Sequence, residues 1–182
     1  MSFRSTAVSL SLPALRAGTV GCITSDFGGC LCEAASVCLE QNSHPVNTGL
    51  QITGELRTSV PLLRDAVTDQ VRRCWADAQV ASEHGAYGVA VLIVEALTNY
   101  TVLERSRKGN GFDYWLGPKG DTTPLFQNKT RLEVSGILTG GESDIRARVR
   151  LKLGQIHRGG VPLPGYVIVV EFGAPESRIV RT

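Results

Sequence analysis

The run Ala86-Tyr-Gly-Val-Ala-Val-Leu-Ile-Val-Glu-Ala-Leu97 limits more than any other segment how this chain can fold. It is too long for an ordinary buried strand and well short of the roughly 20 apolar residues of a membrane span. The expectation is a helix inside a protein core, with Glu95 as its one embedded charge near the end. A helix that apolar must be covered on most sides. A chain of 182 residues, 42% of them hydrophobic, is long enough to do so within one compact domain.

The flanking sequence suggests what covers it. Ser9-Leu-Ser-Leu alternates like a strand and stops at Pro13, Cys30 to Gln41 reads as a short helix, and Leu50 to Thr53 as a brief strand. From Pro61 to Ala78 apolar residues recur at three and four, which predicts a helix. Glu83-His84 beside Gly85 reads as a break before the core helix. After Asn99 the pattern becomes short strands. Thr101–Arg107 runs into the turn Lys108-Gly-Asn-Gly111, and Phe112–Leu116 returns. A polar connection from Gly117 to Lys129 leads to a third strand, Thr130–Ser135, closed by Gly136. Ile145–His157 carries both a helical stripe (Ile145, Val149, Leu153, Ile156) and a strand-like alternation of basic and apolar residues. N-cap chemistry at Ser143 or Asp144 and the Ala/Arg/Leu/Lys content favour helix, ended by Gly159-Gly160. After Pro162 and Pro164, Tyr166–Phe172 is the strongest strand signal in the chain, and Arg178–Arg181 adds a last one. The class expected is α/β, a central mixed sheet flanked by helices. Residues 1–60 are expected as an extension packed on a core formed by 61–182.

The formal charge of +2 averages over unlike halves. Residues 1–100 hold six basic and nine acidic side chains, and residues 101–182 hold thirteen and eight, so the halves carry −3 and +5. The basic half points to a polyanionic partner. Cys22, Cys30, Cys32, Cys38 and Cys74 lack the paired spacing and histidines of a zinc site, and their odd number argues against a secreted disulfide framework. No apolar stretch resembling a secretory signal follows Met1, although the Ser-rich, acid-free start shares features with a transit peptide. A cytoplasmic protein with no membrane partner is expected. Walker, dinucleotide and nucleophile-elbow patterns do not occur.

Three acids stand along the succession from the core helix onward: Glu95, Asp113 entering the second strand, and Glu133 in the third. Asp113 and Glu133 lie between apolar neighbours, and the pleat turns each to the face opposite those neighbours. An ionised carboxylate there is costly unless something pairs it. A hard divalent cation does so and keeps water for chemistry. Glu133 has an ordinary alternative, an ion pair with Arg131 or another cation.

With Gly111-Phe112-Asp113 after a hairpin and Glu133-Val134-Ser135 in the third strand, residues 61–175 resemble the PD-(D/E)XK nuclease superfamily, the restriction-endonuclease-like fold with an αβββαβ core. The resemblance implies that Asp113, Glu133 and the backbone carbonyl of Val134 bind Mg²⁺ or Mn²⁺, with Glu95 supporting the metal shell. Gln155, on the following helix, would help position phosphate or metal. The family usually carries lysine two residues after the glutamate, to orient or deprotonate the attacking water. Here that position is Ser135, and Lys119, Lys129 or Lys152 would have to supply the cation. Arg146, Arg148, Arg150 and Lys152 suit contacts to nucleic-acid phosphates. The implied activity is hydrolysis of phosphodiester bonds by a metal-dependent nuclease, endo- or exonucleolytic. The alternative is a catalytically inactive module of the same fold that binds nucleic acid or a protein partner. A homodimer or larger assembly is compatible with either.

Overall fold

Eight strands form one mixed sheet, seen in a computed structural model that describes residues 8–120, 129–157 and 163–182. The N-terminal residues 1–7, the 121–128 part of the expected polar connection, and the Gly159-Gly160 stop with Pro162 lie outside the described residues. In chain order the strands are β1 (Leu10–Ser11), β2 (Asn47–Gly54), β3 (Thr58–Leu63), β4 (Tyr100–Arg105), β5 (Tyr114–Pro118), β6 (Thr130–Ile137), β7 (Gly165–Glu171) and β8 (Glu176–Arg181). Their order across the sheet is β1-β3-β2-β8-β7-β6-β5-β4. The pairs β1/β3, β2/β8 and β6/β7 run parallel, and the others antiparallel.

Among the described residues the helices α1 (Ser25–Gln41), α3 (Ala78–Leu97) and α4 (Glu142–His157) cover it, and the short α2 (Asp69–Cys74) sits against α1. Helices α1 and α3 pack on each other over one face, where Leu50, Ile52, Leu132, Val134, Ile168 and Val170 point. On the other face α4 lays Ile145, Val149 and Ile156 against Ile137, Val167 and Val169. The chain is therefore α/β, with a central mixed sheet flanked by helices. The core run is the C-terminal part of α3. That helix is long and apolar enough to cross a bilayer by composition, but most of its apolar residues are buried between α1 and the sheet.

Two local expectations differ. The helix expected over 61–78 is instead strand β3, a short α2 and the start of α3. Val60 and Leu62 point inward while Ser59, Pro61 and Leu63 point outward, which is period two rather than 3.6. Pro61 is tolerated because β1, on that side, pairs only with Leu62 and Leu63. The expected break at Glu83-His84-Gly85 lies inside α3, which is capped by Asp77, whose carboxylate accepts from the Gln79 and Val80 N–H groups. Gly85 is a packing glycine: a Cβ there would come within 2.9 Å of the Ala35 Cα on α1.

The ambiguous segment is helix α4. It begins at Glu142, and Asp144 sits inside the first turn, accepting from the Gly141 N–H at 2.8 Å rather than capping from outside. One contact sets the distance between α3 and the sheet. A Cβ on Gly136 of β6 would fall 2.0 Å from the Ser82 carbonyl oxygen, so only glycine lets the helix sit this close. The next residue of α3 is Glu83.

Candidate active site

Four elements meet at one end of β5 and β6. Helix α3 brings Glu83 and, one turn later, Tyr87. Asp113 immediately precedes β5, Glu133 lies in β6, and α4 brings Lys152 and Gln155. All six line a cleft of about 570 Å³, whose remaining wall is the β4–β5 connection. That connection is held against α4: Gly111 has φ +78°, and a Cβ there would lie 2.5 Å from the Gln155 carbonyl oxygen.

Asp113 is fixed at both oxygens. Its backbone N–H donates to the Leu132 carbonyl, the Val134 N–H donates to Oδ2 at 2.8 Å, and the Tyr87 hydroxyl donates to Oδ1 at 2.9 Å. The Tyr87 hydroxyl is also 3.1 Å from Glu83 Oε1. A phenol carries one proton, so it satisfies only one of these carboxylates at a time. Burial, followed by the charges of Asp113 and Glu83, pushes the Tyr87 pKa above its usual value, so it stays a neutral donor.

Glu133 is 4% exposed, and Lys152 Nζ donates to its Oε1 at 2.6 Å. Even so, its pKa is raised to about 7. Burial is the largest cause, and the adjacent Asp113 carboxylate adds to it through charge and hydrogen bonding; the lysine offsets only part. Glu83, Asp113 and Glu133 thus share the cleft, and among the described residues the one cation bonded to any of them is Lys152, on Glu133.

No family model, curated protein or solved structure matches the chain. What the site can do has to come from its own chemistry.

The structure brings Asp113, Glu133, Val134, Lys152 and Gln155 together and leaves Glu95 out. Glu95 is twelve residues beyond Glu83 on α3, about 18 Å along the helix, and its carboxylate faces Lys119 at 3.8 Å. The helix acid of the cleft is Glu83. Its signal in the sequence is the i, i+4 pairing with Tyr87, which puts both on one face of a helix once Gly85 is read as a packing glycine. Ser135, on the same face of β6 as Glu133, accepts from Arg148 Nη1 at 2.8 Å, and Arg148 also donates to the Gly136 carbonyl. The ion pair open to Glu133 is made with Lys152 from α4; Arg131 instead donates to the Ile156 and Leu163 carbonyls. Of the other basic residues on α4, Arg146 pairs with Glu142 at 2.6 Å and Arg150 is exposed. Gln155 Oε1 is buried without a hydrogen-bond partner among the described residues.

Among the described residues no three His, Cys, Asp or Glu side chains form a ready-made metal cluster. Mg²⁺ does not require one, since it is usually held by one or two carboxylates together with water and substrate phosphate. The donor set fits such an ion. Asp113 and Glu133 are hard oxygen donors with lone pairs to spare, and their mutual repulsion is what a divalent cation relieves. The Val134 N–H points at Asp113, and in a strand the carbonyl of the same residue turns to the same edge.

Proposed function

We propose that this chain is a metal-dependent nuclease that hydrolyses phosphodiester bonds of nucleic acid, in the manner of the PD-(D/E)XK superfamily. The observation that carries the reading is the pairing of Asp113 and Glu133 in one cleft, with the Lys152 ammonium 2.6 Å from Glu133. Further support comes from the order α3-β4-β5-β6-α4-β7, which is the αβββαβ succession of that superfamily.

In this reading Asp113, Glu133 and the Val134 carbonyl hold Mg²⁺ or Mn²⁺, which when bound neutralises phosphoryl charge and makes a water acidic enough to attack. The protein's own groups do the rest. The Val134 N–H and the Tyr87 hydroxyl lock the rotamer of Asp113, so little freedom is lost when a substrate arrives. Lys152 stands where its ammonium can orient a nucleophile and face negative charge developing at phosphorus. It takes the part that the usual lysine would play from the position of Ser135. Glu83, rather than Glu95, is the helix acid that supports the site. Gln155, with an unpaired oxygen at the cleft, has the capacity to hold a water or a metal-bound ligand. The five unpaired cysteines fit a reducing compartment, and we place the protein in the cytoplasm.

The test is cleavage of plasmid, single-stranded DNA and RNA by pure protein with Mg²⁺ or Mn²⁺, repeated with Asp113→Ala, Glu133→Ala and Lys152→Ala. Metal-dependent cleavage lost in all three supports the reading. Salt-sensitive binding of nucleic acid without any cleavage would overturn it in favour of an inactive binding module.

A further inference from the structure

We propose that Arg105 is the phosphate clamp of this cleft, gripping a backbone phosphate next to the one at the acids. The inference rests on the nuclease reading of the same cleft and assigns the group that holds the nucleic-acid strand.

Four arginines among the described residues are committed to carboxylates. Arg16 pairs with Asp65, Arg72 with Glu40 and Asp69, Arg146 with Glu142, and Arg178 with Glu142 and Glu176. Arg105 lines the cleft, is exposed, and has no carboxylate partner among the described residues. It is held by aromatic rings instead: its guanidinium carbon lies 5.3 Å from the centre of Tyr87, 5.6 Å from Phe27 and 5.8 Å from Tyr114. Rings attract the cation and fix its position without occupying its in-plane N–H donors. The result is a positioned fork of donors open to solvent, the geometry that matches a phosphate bidentately.

The backbone is built to put it there. A bulge between Val102 and Glu104 shifts the β4/β5 register, so that Arg105 stands directly opposite Tyr114 and Val102 opposite Leu116. Val102, Leu116 and Tyr114 face α3. In an unbroken strand residues 102 and 105 would point to opposite faces, and Arg105 would turn away from Tyr87. The extra residue carries the arginine to the helix side, beside the tyrosine that also holds Asp113. Arg107 and Lys108 follow on the same wall and, among the described residues, have no carboxylate partner either. One wall of the cleft is therefore acidic and the other carries uncommitted cations, the charge arrangement of a metal-and-phosphate site.

The deciding experiment measures binding of a fluorescein-labelled DNA oligonucleotide to the full chain in EDTA across a salt series, for the wild type, Arg105→Ala, Arg105→Lys, Phe27→Leu and the control Arg72→Ala. Melting curves establish that each variant is folded. Arg105→Ala is expected to weaken binding about tenfold and to reduce the salt slope by about one. Arg105→Lys keeps the charge but loses the fork, and is expected to recover no more than about a third of the affinity. Phe27→Leu should fall between wild type and Arg105→Ala, and Arg72→Ala should match the wild type. Binding by Arg105→Ala equal to wild type, or full recovery in Arg105→Lys, would overturn the clamp while leaving the nuclease reading intact. A wild-type protein that neither binds nor cleaves nucleic acid would overturn both.

Discussion

The two ends of α4 hold glutamates in opposite electrical circumstances. At its start, exposed Glu142 takes Arg178 at 2.7 Å and Arg146 at 2.6 Å, and these two cations pull its pKa down to about 2. Toward its end Lys152 reaches the buried Glu133, whose pKa is raised to about 7 by burial and by Asp113. The chain has the means to satisfy a carboxylate fully and does so at Glu142. At Glu133 it places a second carboxylate beside the first and supplies one lysine. Stabilisation alone would not select such an arrangement, because unrelieved like charge in a buried site lowers stability. It fits a site whose missing partner comes from outside, and the predictions below set the two ends against each other.

The largest expected effect lies at the frustrated end. Asp113→Ala or Glu133→Ala should lower metal-dependent cleavage by about 10³-fold or more, since each removes a hard oxygen donor and the charge that attracts the cation. Single-turnover assays with Mn²⁺ measure this, and activity within about tenfold of wild type in either variant would remove that residue from the metal site. Lys152→Ala comes next, with a loss of about 10²-fold in kcat at little change in KM, as expected for a group that acts on charge developing in the transition state. A pure KM effect would make Lys152 a binding residue only.

The sequence carried some of this plainly and hid the rest for physical reasons. The acids Asp113 and Glu133 stand out because each is a carboxylate set between apolar neighbours. The strands after Asn99 are marked by turns and alternation, and their bounds lie within a few residues of expectation. Helix α4 was the difficult case, since its Arg/Lys alternation imitates a strand, yet Ile145, Val149 and Ile156 lie on one helical face and decide it. The stretch 61–78 misleads in the opposite sense. Val60 and Leu62 are too few to announce a strand, and the apolar residues of β3, α2 and α3 together happen to recur at helical spacing. Glu83 was hidden by Gly85, because a glycine that lets two helices touch and one that ends a helix look the same in sequence. Lys152 was visible only as one of four alternating basic residues. Which of them turns to Glu133 is settled by the seating of α4 on β6 and β7, a long-range packing fact that no local pattern contains.

A smaller effect tests whether the cleft is strained without its cation. Glu133 has a folded pKa of about 7 against an ordinary 4.5, so its contribution to stability is full below pH 4.5 and is lost as pH rises through about 7. Asp113→Asn keeps an oxygen to accept the Val134 N–H and removes the charge that repels Glu133. In EDTA at pH 8 this variant should be more stable than wild type by about 1 kcal/mol while being inactive, the trade expected where function requires strain. The gain should shrink at pH 5, where Glu133 is protonated in both proteins. Urea titrations at the two pH values measure it, and a variant less stable than wild type at pH 8 would mean that the hydrogen bonds of Asp113 outweigh its repulsion.

The smallest effect belongs to the satisfied end. Glu142 has a folded pKa of about 2 against an ordinary 4.5, so what it contributes is present above pH 4.5 and is lost as pH falls through about 2. The group is fully exposed, and solvent keeps that contribution slight. Glu142→Gln should lower the melting temperature a little at pH 7, lose that difference near pH 2, and cleave as the wild type does. Its stability change therefore runs opposite to that of Asp113→Asn in both sign and pH range. If Glu142→Gln instead impaired cleavage while the fold stayed intact, the two ends of α4 would be coupled, and the helix would be carrying charge information from Arg146 and Arg178 to Lys152 rather than merely holding both.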